Sequence, residues 1–354
     1  MGFWSFLKKI KFFHNSIAID LGTANTLIWK DGKIVVNEPT IVACEKNTDT
    51  ITACGNDAKT MRGRTSGNKE IIAPMEGGVV ARPFVVAEML KTYINQISSI
   101  KPYNMLVCCP CGATEAEQIG IRDACEKAEA KNIDLLYEPM ASAIGINKES
   151  VLGSQATMIV DIGGGTTEIA VISLGEIVSH QSIKIGGNYL TQAIIDYCLQ
   201  EKKVRIGFND AEMIKHMAGS AYYVDDKFEN SKVRGYGYNI VEGRPIEINL
   251  HNKEIRNDIL DKPIQEIIKA IKKTFEKTSP ELSEDICKNG LWLTGGGALL
   301  KGLDERIRDE IKLSVNIPPA DVVSPSHTVI TGAGTVLDNM EKYREVLIKR
   351  RPMP

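Results

Sequence analysis

Asp20-Leu-Gly-Thr-Ala-Asn-Thr26 and Asp161-Ile-Gly-Gly-Gly-Thr-Thr-Glu168 are the two stretches whose reading decides the fold. In each, a β-rich run closes on an aspartate, a turn of small residues follows, and a second β-rich run begins. Ser16 to Asp20 and Thr26 to Lys30 flank the first turn, and Thr157 to Asp161 and Glu168 to Ser173 flank the second. Both read as hairpins. One such hairpin in each half of a 354-residue chain predicts two duplicated lobes rather than a short-period solenoid.

A Gly-rich turn between strands lets backbone N–H groups converge on an anion, because glycine has no Cβ to block close approach. Gly22, Ala24, Gly163, Gly164 and Gly165 supply such backbone, and Thr23, Asn25, Thr166 and Thr167 add side-chain donors. Asp20 and Asp161 are expected to face the same space, where two carboxylates suit a hydrated Mg²⁺ bridging phosphates. The pair of clamps suits a nucleoside triphosphate. A single D-x-G turn is more often a plain hairpin loop, but two of them followed by a third glycine turn, Gly295 to Gly297, are far more specific. No G-x-x-x-x-G-K-[ST] and no strand-linked G-x-G-x-x-G is present, so a P-loop or Rossmann site is disfavoured.

Outward from the turns, strands alternate with helices, which predicts an α/β class. Gly55 to Asn68 is polar and Gly-rich, Val85 to Ile97 has helical periodicity, and Asn104 to Cys109 reads as a strand. Thr114 and Glu117 fit a capping box opening a helix to Ala130. Further helices are expected at Tyr189 to Lys202, Asp210 to Ala218 and about Ile255 to Lys277, with β-like segments through Leu250 and a strand from Gly290 to Leu293.

With 43% hydrophobic and 25% charged residues, the chain has an ordinary globular composition. A net charge of -2 gives no general reason to expect nucleic acid as a partner. The 8 cysteines follow no secretory leader, so free thiols in a reducing compartment are expected. Cys108, Cys109 and Cys111 lack a second C-x-x-C or H-x-x-x-H to complete a tetrahedral metal shell, and read as the buried end of a strand. No apolar run reaches the ~20 residues of a membrane span.

The two aspartate motifs resemble the phosphate motifs of the actin, Hsp70 and sugar-kinase superfamily, and Leu293-Thr-Gly-Gly-Gly-Ala-Leu-Leu300 resembles its adenosine motif. Within the superfamily the wording is similar to that of the bacterial actin homologues of the MreB family. It appears in Glu38-Pro-Thr40, Ala58-Lys-x-Met-x-Gly-Arg-Thr65, Tyr137-Glu-Pro-Met-Ala-Ser-Ala-Ile-Gly145, Glu168-Ile-Ala-Val-Ile-Ser173 and Gly332-Ala-Gly334.

That resemblance implies an α/β, actin-like fold: two duplicated lobes with mixed β-sheets flanked by helices around a central nucleotide cleft. The first lobe would span 15–145 with a small subdomain at about 33–73, and the second 146–325 with a small subdomain at about 187–245. Residues 326–354 would return to the first lobe as a helix and basic tail. It further implies ATP and Mg²⁺ as ligands, with Glu138 orienting the attacking water and Thr167 assisting. Glu212 and Lys215 would lie near ribose and adenine, and Gly186, Gly296 and Gly297 would let the nucleoside rest against backbone. The implied activity is ATP hydrolysis coupled to head-to-tail filaments that act in cell shape or cell-body organisation. An Hsp70-like chaperone would need a substrate-binding domain after the nucleotide domain, and a sugar or acetate kinase would need an acceptor site. Three departures from the family pattern stand out: Asn188 where an aspartate is usual, Tyr137 where a glutamate is frequent, and a loop from Ser98 to Tyr103 without a large apolar pair.

At the N-terminus, Phe3, Phe6, Leu7, Ile10 and Phe13 fall on one helical face, beside Trp4, with Lys8, Lys9 and Lys11 on the other sides. This is the pattern of a helix lying in a membrane interface. Residues 1–14 are therefore expected to bind the inner face of the cell membrane, and Lys349-Arg-Arg351 is a second, smaller basic site.

Overall fold

The structure, a computed structural model, describes residues 15–46, 48, 50–65, 67–97, 103–146 and 150–349. The expected membrane segment, most of the 98–103 loop and Arg350-Arg351 of the basic tail lie outside the described residues.

Both hairpins form, and each is the nucleus of a five-stranded mixed sheet. In the first sheet, Ser16–Leu21 pairs antiparallel with Asn25–Lys30, which pairs with Lys33–Pro39. On its other edge Ser16–Leu21 runs parallel to Tyr103–Cys109, itself parallel to Ala130–Tyr137. The second sheet repeats the plan. Thr157–Ile162 pairs antiparallel with Thr167–Ser173, which pairs with Glu176–Ile183, and runs parallel to Leu291–Thr294 and then Val315–Asn316.

Strand alternation sorts each sheet into two buried faces. Ile17, Ile19 and Leu21 pack outward under Pro83–Ile97 and Glu115–Lys127, while Met158, Val160 and Ile162 pack outward with Ile264, Ile268 and Ile271 of Asp261–Glu276. The inward set is Ala18, Leu106, Cys108 and Leu136 from one sheet and Ile159, Ala170 and Ile172 from the other. Two helices, Glu138–Ile146 and Thr328–Asp338, are sandwiched between these inner faces. They approach so closely that a Cβ on Gly332 would overlap the Ala141 carbonyl and one on Gly145 the Thr328 carbonyl. Glycine is required at both crossing points.

Two three-stranded sheets extend from these bodies. Val42–Glu45, Ile51–Cys54 and Lys69–Ile72 form one, and Val204–Ile206, Lys232–Asn239 and Arg244–His251 the other. The polar stretch after Cys54 contains a short helix, Gly55–Met61, bounded by Gly63 at φ 75. A glycine just beyond the last turn is a common helix stop.

The Thr114 capping box is present, with Glu117 N donating to Thr114 Oγ1 at 3.3 Å and Thr114 N to Glu117 Oε2 at 2.7 Å. Its helix ends at Lys127 instead of Ala130, and the chain turns at Glu129 (φ 68) into a strand. The long helix after Ile255 is α only from Asp261. Its first part, Ile255–Leu260, is a π-helix just before Pro263, whose ring cannot supply an N–H to the preceding turn.

Candidate functional site

The two hairpin turns meet between the sheets at the mouth of a cleft with a volume of about 300 Å³. They are in contact: a Cβ on Gly164 would overlap Ala24, and one on Gly165 would press on the Thr23 side chain. The first turn is braced from outside, with Thr40 Oγ1 donating to Gly22 O at 2.7 Å and lying 2.9 Å from Thr26 Oγ1. Gly78 N donates to Thr23 Oγ1 at 3.0 Å. The second turn is braced by the start of the Gly187–Gln200 helix. There Gly187 N and Asn188 N donate to the carbonyls of Gly163 and Gly164 at 2.9 and 2.8 Å.

Asp20, Glu138 and Asp161 all line this cleft. Asp20 follows Ala18 by two residues and Asp161 follows Ile159 by two, so both share the inward face of their strands. Glu138 follows the strand Ala130–Tyr137 directly and opens the inner helix. Asp161, only 5% exposed, accepts from Ser142 Oγ at 2.6 Å and from Thr294 Oγ1 at 3.0 Å.

Crowding these acids out of water raises their proton affinities. Burial, then the Asp161 charge, pushes Asp20 up to about 7. Burial pushes Asp161 up to about 6 against the lowering effect of the Ser142 and Thr294 hydrogen bonds. Glu138 is held well above the usual carboxylate range by burial, then by Asp20, Glu168 and Asp161. A divalent cation between Asp20 and Asp161 would relieve this repulsion, so the residues fit Mg²⁺. No group of three or more His, Cys, Asp or Glu side chains is arranged to hold a metal among the described residues. The cation's remaining ligands would therefore come from phosphate and water.

Of the other expected residues, Gly22, Thr23, Ala24, Asn25, Gly163, Gly164, Gly165, Thr166, Glu212, Lys215, Gly296 and Gly297 also line the cleft. Two do not. Thr167 pairs across the hairpin with Ile162 and shares its outward face, so its fully buried hydroxyl donates to Ile185 O at 2.6 Å instead of facing the cleft. Gly186 lies behind the second turn, where a Cβ would come 2.7 Å from Gly163 O, and Gly187 and Asn188 line the cleft in its place.

Lys215 Nζ donates to Gly187 O at 2.9 Å and Thr191 Oγ1 at 2.8 Å, and burial lowers its pKa. Glu212 pairs with Lys59 at 3.0 Å; burial raises its proton affinity, and the Lys59 hydrogen bond and charge bring it net below the usual value. Sequence reasoning missed Gly78, Lys59 and Glu168. Glu168 was legible by period two, since it stands opposite Asp161 in the hairpin and two residues before inward-facing Ala170. Lys59 and Gly78 carry no such signal, being brought in from distant segments.

Comparison with known proteins agrees with this architecture. The MreB/Mbl protein family matches residues 14–345. Cell shape-determining protein Mbl of Bacillus subtilis (strain 168) is 42% identical over 335 residues, 93% of this chain and 98% of that protein. Cell shape-determining protein MreB of Escherichia coli (strain K12) is 42% identical over 347 residues, 95% of this chain and 97% of that protein. Among solved structures, MreB5 of Spiroplasma citri bound to ADP superposes with a TM-score of 0.86 at 32% identity, covering 93% of this chain and 98% of that one. The MamK double helical filament shares the fold at a TM-score of 0.74 and 18% identity, covering 92% and 99% of the two chains. The chain has an actin-like fold and belongs to the MreB/Mbl family.

Proposed function

We propose that this chain is a cytoskeletal ATPase that binds ATP with Mg²⁺ between its lobes, polymerises head to tail and associates with the inner face of the cell membrane. The observation that carries the reading is the convergence of Asp20, Asp161 and Glu138 on a cleft walled by two facing glycine turns. The S. citri MreB5 relative was crystallised with ADP and with AMPPNP, which supports a nucleotide as the occupant.

In this reading the turns Gly22–Asn25 and Gly163–Thr166 present backbone N–H and hydroxyl donors to the phosphates. Gly296, where a Cβ would meet nothing, leaves room for the nucleoside, and Gly297 lets the same turn pack against Ile162, with Glu212 and Lys215 at the nucleoside's side. Asp20 and Asp161 would hold Mg²⁺, which would supply positive charge against the phosphates. Glu138, on the wall of the same cleft, orients the attacking water. The lobes divide at 15–145 and 146–325, with 326–354 returning to the first. Because the nucleotide touches both, its γ-phosphate biases their closure and hence the longitudinal contact. Repetition of one heterologous contact without ring closure gives an open filament.

Membrane association rests on Phe3, Trp4, Phe6, Leu7, Ile10, Phe13 and the lysines among them. One short helix binds reversibly, and a filament presenting many copies binds firmly through avidity. Sedimentation of the purified protein with ATP, assay of released phosphate, and co-sedimentation with anionic liposomes of the full chain and of a form lacking residues 1–13 test the three parts. Protein that stays monomeric in ATP and ADP at all concentrations defeats the filament reading. Equal pelleting of both forms with liposomes, after subtraction of polymer, removes the N-terminal helix as the anchor.

A further inference from the structure

We infer that Glu168 is a positioning residue for hydrolysis, tying the second phosphate hairpin to the strand end that carries Glu138. The inference deepens the proposed ATPase reading and rests on it.

Glu168 is 1% exposed and stands opposite Asp161 in the hairpin, so both carboxylates lie on the inward face of the same sheet. Its oxygens are filled by three donors. Oε2 accepts from Cys111 N at 3.1 Å and from Cys111 Sγ at 2.8 Å, and Oε1 accepts from Ser182 Oγ at 2.5 Å. Ser182 belongs to the second sheet, as the cross-strand partner of Glu168. Cys111 belongs to the other body, two residues beyond the first-sheet strand that ends at Cys109. The carboxylate therefore spans the two lobes.

What it grips decides its consequence. Cys109 is the register partner of Tyr137, the residue directly before Glu138. Fixing the backbone at Cys111 thus fixes the end of the strand against which Glu138 is set. The loop also packs directly on that strand, since a Cβ on Gly112 would stand 3.0 Å from Ser182 Cβ. The same hairpin carries the turn Gly163–Thr166, so one contact couples the group that orients water to the backbone that faces the phosphates. A buried carboxylate is an unfavourable choice for packing alone. The hydrogen bonds from Cys111 and Ser182 offset that cost while making the contact directional.

The test is Glu168→Gln, which keeps the shape and an acceptor for Cys111 N but removes the charge, alongside Cys111→Ser, which keeps a side-chain donor, and Cys111→Ala, which does not. ATP turnover is measured at matched pelleted fraction, together with ADP affinity and thermal melting. The expected result is a fall in kcat of ~10-fold or more in Glu168→Gln with KM and ADP affinity changed less than ~3-fold, because the interaction acts on the reacting geometry and not on holding the nucleotide. Cys111→Ser is expected to retain turnover and Cys111→Ala to lose part of it. Wild-type kcat in Glu168→Gln overturns the inference, as does an equal loss of affinity and turnover. If Glu168→Gln fails to fold, Cys111→Ala and Ser182→Ala are read by the same criteria, and unchanged kcat in both overturns it. Absence of turnover in the wild-type protein would instead defeat the ATPase reading. Loss of turnover in Glu138→Ala with full turnover in Glu168→Gln would defeat this inference alone.

Discussion

The Lys59 ammonium lies 3.0 Å from the Glu212 carboxylate, joining the Gly55–Met61 helix to the Phe208–Ala218 helix across the outer end of the cleft. Beside it, the Arg62 guanidinium sits 4.5 Å from the centroid of the Phe208 ring. These contacts close the lips from which a nucleotide would leave. Lys59→Met should speed ADP release by a few-fold, since a partly exposed ion pair contributes about 0.2–1 kcal/mol. Adding Arg62→Ala should increase the effect, and the Lys59 share should shrink with salt. Stopped-flow displacement of a fluorescent ADP analogue checks this; release rates identical to wild type in the double variant would exclude a closed-lip role.

Glu138→Ala should lower phosphate release by ~10²-fold or more while leaving nucleotide affinity nearly unchanged if, as proposed, its carboxylate acts on water and the glycine turns do the holding. Thr167→Val should cost much less turnover, since the Thr167 hydroxyl is engaged with Ile185 O away from the cleft. Thr166→Val, at a threonine that lines the cleft, should cost more turnover than Thr167→Val. Turnover assays on the three variants rank them directly.

Mg²⁺ and protons should compete for Asp20 and Asp161. With Asp20 at about 7 and Asp161 at about 6, Mg²⁺-dependent nucleotide affinity should fall as pH drops from 8 to 6, approaching about tenfold per pH unit for each proton displaced. Stability of the metal-free protein runs the other way. The unfolded carboxyls titrate near 3.8, so the native state holds more protons between that value and 7, and the contribution of this pair to stability falls as pH rises through the window. Titration calorimetry and thermal melts across pH measure the two trends, and Asp161→Ala should flatten both.

Gly332→Ala should destabilise the whole fold and not merely the cleft, because the added methyl would overlap the Ala141 carbonyl where the two inner helices cross. Overpacking of this kind costs typically about 1–3 kcal/mol, and a backbone atom cannot step aside as a flexible side chain can. A melting temperature equal to wild type would mean that the helices separate freely.

How much of this was legible beforehand depended on how local each signal was. The two hairpins, the Thr114 capping box and the helix over Val85 to Ile97 follow from short-range chemistry: turn glycines, a side chain that reaches its own helix end, and a 3.6-residue period. The glycines of the turns and the aspartates Asp20 and Asp161 stood out for the same reason, whereas Glu138 was marked only by the family wording around it, and all line one cleft. The Gly55–Met61 helix was obscured because seven residues between polar and glycine neighbours carry too little periodicity to register.

Tertiary structure decided which face each of these residues uses and what it meets. Thr167 and Glu168 are neighbours in the chain, yet the pleat sends one behind the sheet and the other onto Cys111 of the opposite lobe. Lys59 reaches Glu212, and Gly78 reaches Thr23, only because the chain brings distant segments to one cleft. Sequence alone determined the turns, their two aspartates and the duplication, since these are written in residue type and spacing. The elevated proton affinities and the cross-lobe contacts arise from burial and approach, which exist only once the two sheets close on their shared helices.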